Sequence, residues 1–337
     1  MSPTPRAQAR LAWTRAALGD DAALLEPASA DASFRSYWRT HSQGRSWIVM
    51  DAPPEREDIR PWLEIGGRLT AAGLNAPAIH AADAGQGFVL MSDLGNELYL
   101  PRLREAGPGG LYEDALDALF TMQSKIDASD LPPYDEARLV QEMELLSDWF
   151  LQRHLGFTPT CEQWDVVESA FRALVENARR QEQVFVHRDY HSRNLLVAGP
   201  GAPGILDFQD AVRGPLTYDL VSLLRDCYIA WPEEQVYEWV ENYRRRLVEA
   251  GMTRVDDETF RRGFDLMGLQ RHIKVLGIFC RLWYRDGKKG YLDDLPLVWR
   301  YTREVGRRYP ETAALIELIE GALGERDIRA AAEQAPA

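Results

Sequence analysis

The stretch from Val184 to Phe208 constrains the fold most, because it breaks a long helical pattern with short apolar β-like runs set around a dense polar cluster. It reads Val184-Phe-Val-His187-Arg188-Asp189-Tyr190-His191-Ser192-Arg193-Asn194-Leu195-Leu196-Val197, then Gly204-Ile-Leu-Asp207-Phe208-Gln209-Asp210. An Asp, an Asn five residues on and another Asp thirteen beyond that combine hard oxygen donors with a second carboxylate. Such a set suits magnesium-nucleotide chemistry. Phosphoryl transfer needs an Asp to orient the attacking hydroxyl and an Asn with an Asp to hold the metal. Asp189, Asn194 and Asp207 meet that need.

The rest of the chain gives these residues a frame. At 337 residues it is long enough for two domains, or one with two lobes. A first helix is predicted over residues 5–18, then strands over 33–40 and 46–51 across the polar turn His41-Ser42-Gln43-Gly44. A helix over 58–72 and short strands over 78–82 and 87–91 follow. From Gly109 the periodicity is helical over 111–126, 136–154 and 162–179, and again from Thr217 to about Ala322. The expected architecture is α+β: an antiparallel-sheet lobe of about five strands over 1–95, a mainly helical lobe over 96–324 and a soft tail over 325–337, with a cleft between the lobes.

Charge narrows the partners. The formal net charge is −13 and the pI near 5.0, which argues against nucleic acid and anionic lipid. Residues 243–309 run the other way, with 16 Lys/Arg against 9 Asp/Glu, so a neutral or anionic acceptor is favoured there over a cationic one. Three scattered cysteines, Cys161, Cys227 and Cys280, offer neither a disulfide nor a zinc framework and suit a reducing compartment. No apolar run reaches membrane-spanning length, and the N-terminus lacks a secretory pattern. A soluble cytoplasmic protein with no obligate protein partner is the expectation.

The pairing of HRDYHSRN with ILDFQD, followed by Arg213-Gly214-Pro215-Leu216-Thr217-Tyr218-Asp219-Leu220, resembles the aminoglycoside phosphotransferase and choline kinase family over nearly the whole chain. The resemblance implies a two-lobed protein-kinase-like fold, ATP and Mg2+ as cofactors, Asp189 as catalytic base, Asn194 and Asp207 as metal ligands, and Asp219 as a brace for the catalytic loop. Within that family, Ser33-Phe-Arg35-Ser-Tyr37-Trp-Arg39, Val49-Met50-Asp51-Ala-Pro-Pro and Arg271-His272-Ile-Lys274-Val-Leu-Gly-Ile-Phe are similar to the anomeric N-acetylmuramate/N-acetylglucosamine 1-kinases of bacterial cell-wall recycling. Aminoglycoside or choline kinase activity, or a non-catalytic kinase-like binding role, are the alternatives.

Two departures matter. Neither G-x-G-x-x-G nor G-x-x-x-x-G-K-[ST] occurs, so Ala30-Asp31-Ala32-Ser33 must cradle phosphate with small residues. Met50 stands where such kinases place a basic residue on the third strand, which leaves the helix acid, read as Glu64, without its usual partner. Arg35 or Arg39, on one face by the period of two, can supply the charge, with Arg35 preferred. Ser33, Arg35 and the hinge Met91-Ser92-Asp93-Leu94 are the expected nucleotide contacts.

For the acceptor, the candidates are His191, Arg193, Gln209, Asp210, Arg213, Arg271, His272 and Lys274. The plain alternative for Arg271, His272 and Lys274 is a solvated basic stripe beside a core stripe, and for His191 and Arg193 it is loop capping. His187 reads as a buried hydrogen-bonding side chain. Trp283, Tyr284 and Tyr291 are sugar platforms or core.

Overall fold

A computed structural model describes residues 4–30, 34–199 and 202–331. In chain order the elements begin with α1 (Pro5–Leu18), β1 (Glu26–Ala30), β2 (Ser36–Ser42), β3 (Arg45–Asp51), α2 (Arg60–Ala71), β4 (Ile79–Asp83), β5 (Phe88–Ser92), α3 (Tyr99–Ala106) and α4 (Gly109–Lys125). Next, α5 (Glu136–Leu145) runs into a π-helical segment, Leu146–His154, ahead of α6 (Cys161–Arg180). Four short strands follow, β6 (Gln183–Val186), β7 (Leu195–Val197), β8 (Pro203–Ile205) and β9 (Val212–Pro215). The chain continues through α7 (Tyr218–Leu224), α8 (Glu233–Glu249), α9 (Asp257–Tyr284), a short 3-10 segment, α10 (Leu295–Gly306) and α11 (Pro310–Leu323). Contacts divide it into two compact units, Met1–Ile126 with Arg193–Ala211 and Asp127–Ser192 with Val212–Ala337.

The first unit is built on an antiparallel sheet of order β1-β2-β3-β5-β4. Gln43 and Gly44, both at positive φ (52° and 73°), close the β2–β3 hairpin as a two-residue turn whose twist matches the strands. Strand β1 escaped the sequence reading, because Pro27 and a register shift beside it mask the alternation, as befits an edge. The phosphate-cradling residues Asp31, Ala32 and Ser33 lie outside the described residues. Helix α1 matches its expected bounds: Thr4 caps the Ala7 N–H, Pro5 takes the first turn and Gly19 ends the helix at φ 62°. Charge holds it to the sheet. Buried Asp51 accepts Arg6 Nη2 and Arg10 Nη1, each at 2.7 Å, and the Arg10 guanidinium lies 3.7 Å over the Trp38 ring.

Helix α9 is the axis of the second unit. Eighteen of its 28 residues are buried, including Asp265, Gln270, Arg271, His272 and Lys274, so the expected solvated stripe does not exist. The reason is tertiary: a helix enclosed on all sides turns its polar groups toward buried partners. A Cβ on Gly277 would sit 2.2 Å from the Leu145 carbonyl oxygen, which fixes glycine where α9 crosses the end of α5. No described helix is long and apolar enough to cross a membrane.

Candidate active site

In the first unit a cavity of about 410 Å³ opens between the sheet and the β7–β8 hairpin. Ile48, Met91 and Leu206 give it apolar walls, the hinge Ser92-Asp93-Leu94-Gly95 forms one edge, and Arg193, Asn194 and Asp207 supply the polar end. The hinge is held from behind. Asp93 accepts Arg39 Nε at 2.6 Å, the Ser46 hydroxyl and the Gly95 N–H at 2.9 Å. Burial works to raise this carboxyl's pKa, but those donors outweigh it and keep Asp93 below the usual carboxylate value. Ser92 accepts the Ala78 N–H through Oγ at 2.8 Å.

The β7–β8 ladder sets the spacing of the metal-ligand candidates by pairing Leu195 with Ile205, and the Leu206 N–H bonds the Asn194 carbonyl at 3.0 Å. Asn194 Nδ2 lies 3.5 Å from Asp207 Oδ2. Asp207 has φ 60°, a left-handed conformation unfavourable for a residue with a Cβ and characteristic of functional turns. Its Oδ1 accepts Arg35 Nη2 and Gln209 Nε2, both at 3.0 Å, and Gln209 Nε2 also lies 3.2 Å from exposed Asp210. Phe208 anchors the turn: its ring packs 5.1 Å from Trp62, and a Cβ on Gly66 of α2 would sit 3.2 Å from it. Among the described residues no cluster of three or more His, Cys, Asp and Glu is present. An Asn and an Asp this close fit magnesium, which takes few protein oxygens and completes its shell with phosphate and water.

Met50 is fully buried in β3, opposite Tyr37 and Val89, and packs as core. Arg35 is the basic side chain beside Asp207. Its side chain, 5% exposed, joins Asp207 to Glu57, with Nε 3.5 Å from Glu57 Oε1. Glu64 instead is exposed and pairs with Arg68 one turn on. The partner acid therefore lies before α2 rather than on it, and nothing in the local sequence distinguishes Glu57 from its neighbours.

The second unit carries Asp189. Both Asp219 oxygens take main-chain N–H bonds from the start of the loop, His187 at 2.6 Å and Arg188 at 3.0 Å. Burial pushes the Asp219 carboxyl up to about 7 against the pull of those two bonds. At the loop's other end Asp226 Oδ2 accepts the Ser192 N–H at 3.0 Å and the Ser192 hydroxyl. Arg188 adopts φ 77°, a strained turn directly before Asp189. Burial tends to raise the Asp189 pKa, yet the nearby cations Lys274, His191, Arg271 and Arg188 hold it below its ordinary value. The group is a carboxylate at neutral pH.

Most of those cations are themselves bound. Glu142 accepts Lys274 Nζ at 3.1 Å, Arg188 Nη2 and the Tyr134 hydroxyl, and Lys274 also donates to the Tyr218 hydroxyl at 3.2 Å. His272 is fully buried, stacks on Tyr301 and meets the Arg225 carbonyl through Nε2 at 3.0 Å, and burial pushes its pKa down to about 3. Arg271 bonds Cys227 Sγ at 3.1 Å. His191 lies against the Tyr228 ring, whereas Arg213 is an exposed residue of β9. His187 is buried and its Nδ1 accepts the Asp189 N–H at 3.3 Å. Tyr284 bonds His154 at 3.1 Å, and Tyr291 packs 5.3 Å from Phe279.

Residues 24–257 match the family model of the phosphotransferase enzyme family. The chain belongs to that family. Among its phosphotransferase relatives are the N-acetylmuramate/N-acetylglucosamine kinase of Pseudomonas aeruginosa, 46% identical over 298 residues and 88% of each chain, and that of Neisseria meningitidis, 40% identical over 307 residues, 89% of this chain and 91% of the other. A choline/ethanolamine kinase family protein from Mesorhizobium loti has the same fold, with TM-score 0.61 at 13% identity over 92% of this chain and 99% of that one. The phosphotransferase fold is thus α+β and protein-kinase-like, as the loop motifs led us to expect.

Proposed function

We propose that the protein is an ATP-dependent kinase that phosphorylates the anomeric hydroxyl of N-acetylmuramate and N-acetylglucosamine, as part of peptidoglycan recycling in the cytoplasm. The observation that carries the reading is the 46% identity, across 88% of the chain, to a protein named for action on these two sugars. Each unit has a share in the chemistry. The first offers the nucleotide an apolar slot and a hinge of main-chain groups at Met91, Ser92, Asp93 and Leu94, with Arg35 and Ser33 toward the phosphates. Asn194 and Asp207 would hold magnesium, which when bound supplies positive charge against the β- and γ-phosphate oxygens.

In the second unit Asp189 accepts a hydrogen bond from the sugar hydroxyl and orients its oxygen toward the γ-phosphorus. A carboxylate of depressed pKa is a weak base, so in a loose transition state it takes the proton late, once bonding to phosphorus has acidified the hydroxyl. The acceptor candidates of the second unit are His191 and Arg271, with Lys274 and His272 held behind them by Glu142, Tyr218 and Tyr301 and Arg213 exposed on β9; those of the first are Arg193, Gln209 and Asp210. The test is phosphorus NMR of the product formed from each sugar with ATP. Phosphate on O1 supports the reading, and faster turnover of choline or kanamycin than of either amino sugar would overturn the substrate assignment.

A further inference from the structure

Arg271 stands apart from the other fixed cations around Asp189. Arg188 and Lys274 share the Glu142 carboxylate. Arg271, only 4% exposed, makes no ion pair among the described residues, and the Cys227 thiol is its one hydrogen-bond partner there. A buried guanidinium ordinarily takes a carboxylate, because desolvating its charge costs more than a weak neutral acceptor returns. A thiol can orient an N–H through its polarisable sulfur while carrying no charge. Burial pushes the Cys227 thiol up to about 11, so it remains neutral at physiological pH.

Cys227 also sits in an unusual run. Its predecessor Asp226 clamps Ser192 at the end of the catalytic loop, and its successor Tyr228 meets the His191 ring edge-on at 5.5 Å. Three consecutive residues thus each hold a different member of the acceptor side. A carboxylate at position 227 would orient Arg271 at least as well as a thiol, but it would also cancel the charge.

We propose that Cys227 is a specificity-determining residue: by fixing Arg271 with a neutral thiol, it leaves a positive charge for the carboxylate of an acidic amino sugar and sets the preference over a neutral one. The proposal rests on the amino-sugar reading above. Its test compares kcat/KM for N-acetylmuramate and N-acetylglucosamine in wild type, Cys227→Asp, Cys227→Ser, Cys227→Ala and Arg271→Met. The acidic-to-neutral ratio should fall by about tenfold or more in Cys227→Asp and Arg271→Met, the effect of losing a charge-assisted hydrogen bond. It should stay within about twofold in Cys227→Ser, which keeps a neutral acceptor.

An unchanged ratio in Cys227→Asp, with both sugars still turned over, overturns the proposal. Should that variant fail to fold, Cys227→Ala decides: a lowered ratio supports the orienting role, and an unchanged ratio makes the thiol mere filler. Equal losses on both sugars in Arg271→Met also overturn it, by assigning Arg271 to the transferred phosphoryl group. A wild-type protein that phosphorylates neither sugar refutes the amino-sugar reading itself, a result separable from all of these.

Discussion

The polar groups of the two units are organised in opposite ways. Around Asp207 in the first unit, Arg35, Gln209 and Asn194 converge on one carboxylate at the mouth of a cavity, with distances of 3.0 to 3.5 Å. Around Asp189 in the second, Glu142, Arg188, Lys274, Tyr134 and Tyr218 form a largely buried network of mutual bonds, tied to the helix that forms the core. The first arrangement can exchange its internal bonds for a ligand's charges at small cost. The second cannot, because breaking a buried pair leaves an unpaired charge costing about 3 to 5 kcal/mol. Under the proposed function, the difference separates residues offered to the nucleotide from residues that hold the proposed base in place.

Substitutions can break that contrast in order of expected size. Asp189→Asn should lower kcat by ~10² or more while nucleotide affinity barely moves, and retention of more than about a tenth of wild-type turnover would remove Asp189 from the base role. Asp207→Ala should abolish productive magnesium-nucleotide binding, and Asn194→Ala should raise the magnesium requirement; unchanged magnesium titrations in both would dissolve the first cluster as a metal site. Arg35→Ala should raise the KM for ATP by roughly tenfold, with Glu57→Gln a weaker copy and Arg39→Ala weaker still. Equal effects of all three would mean that main-chain amides suffice.

A pH profile sharpens the other side of the comparison. With Asp189 as the proposed base, activity should be lost as pH falls through its pKa, which Lys274, His191, Arg271 and Arg188 depress against the opposing effect of burial. Lys274→Met should therefore move the acid limb of kcat/KM to higher pH, and an unmoved limb would show that Lys274 serves packing alone. Glu64→Gln should do least, within about twofold of wild type on every kinetic constant, because an exposed i,i+4 pair contributes little.

What the sequence revealed, and what it hid, follows the range of the interactions. Asp189, Asn194 and Asp207 could be singled out in the sequence because their spacing is local to one loop and one hairpin, and their roles stand as part of the proposed function. Helix α1 was legible down to its ends, since Thr4, Pro5 and Gly19 are boundary signals that act within a turn. Glu57 was not, because its partner Arg35 lies on a separate stretch of chain. The burial of Arg271, His272 and Lys274 was equally hidden, since Cys227, the Arg225 carbonyl, Glu142 and Tyr218, all distant in sequence, make it tolerable. Residues 31–33 lie outside the described residues, and the nucleotide role expected of Ser33 stands as part of the proposed function.

The route of the chain through its two units bears on how the protein is made. The first unit consists of Met1–Ile126 and Arg193–Ala211, with a long stretch of the other unit between them. During synthesis the sheet can form early, but its cavity lacks the β7–β8 hairpin until residues 195–205 have left the ribosome. Domains tend to fold as they emerge, from the N-terminus onward. Here the first unit must wait, incomplete, while α5, α6 and β6 are translated. No single cut in the gene can release either half as a whole.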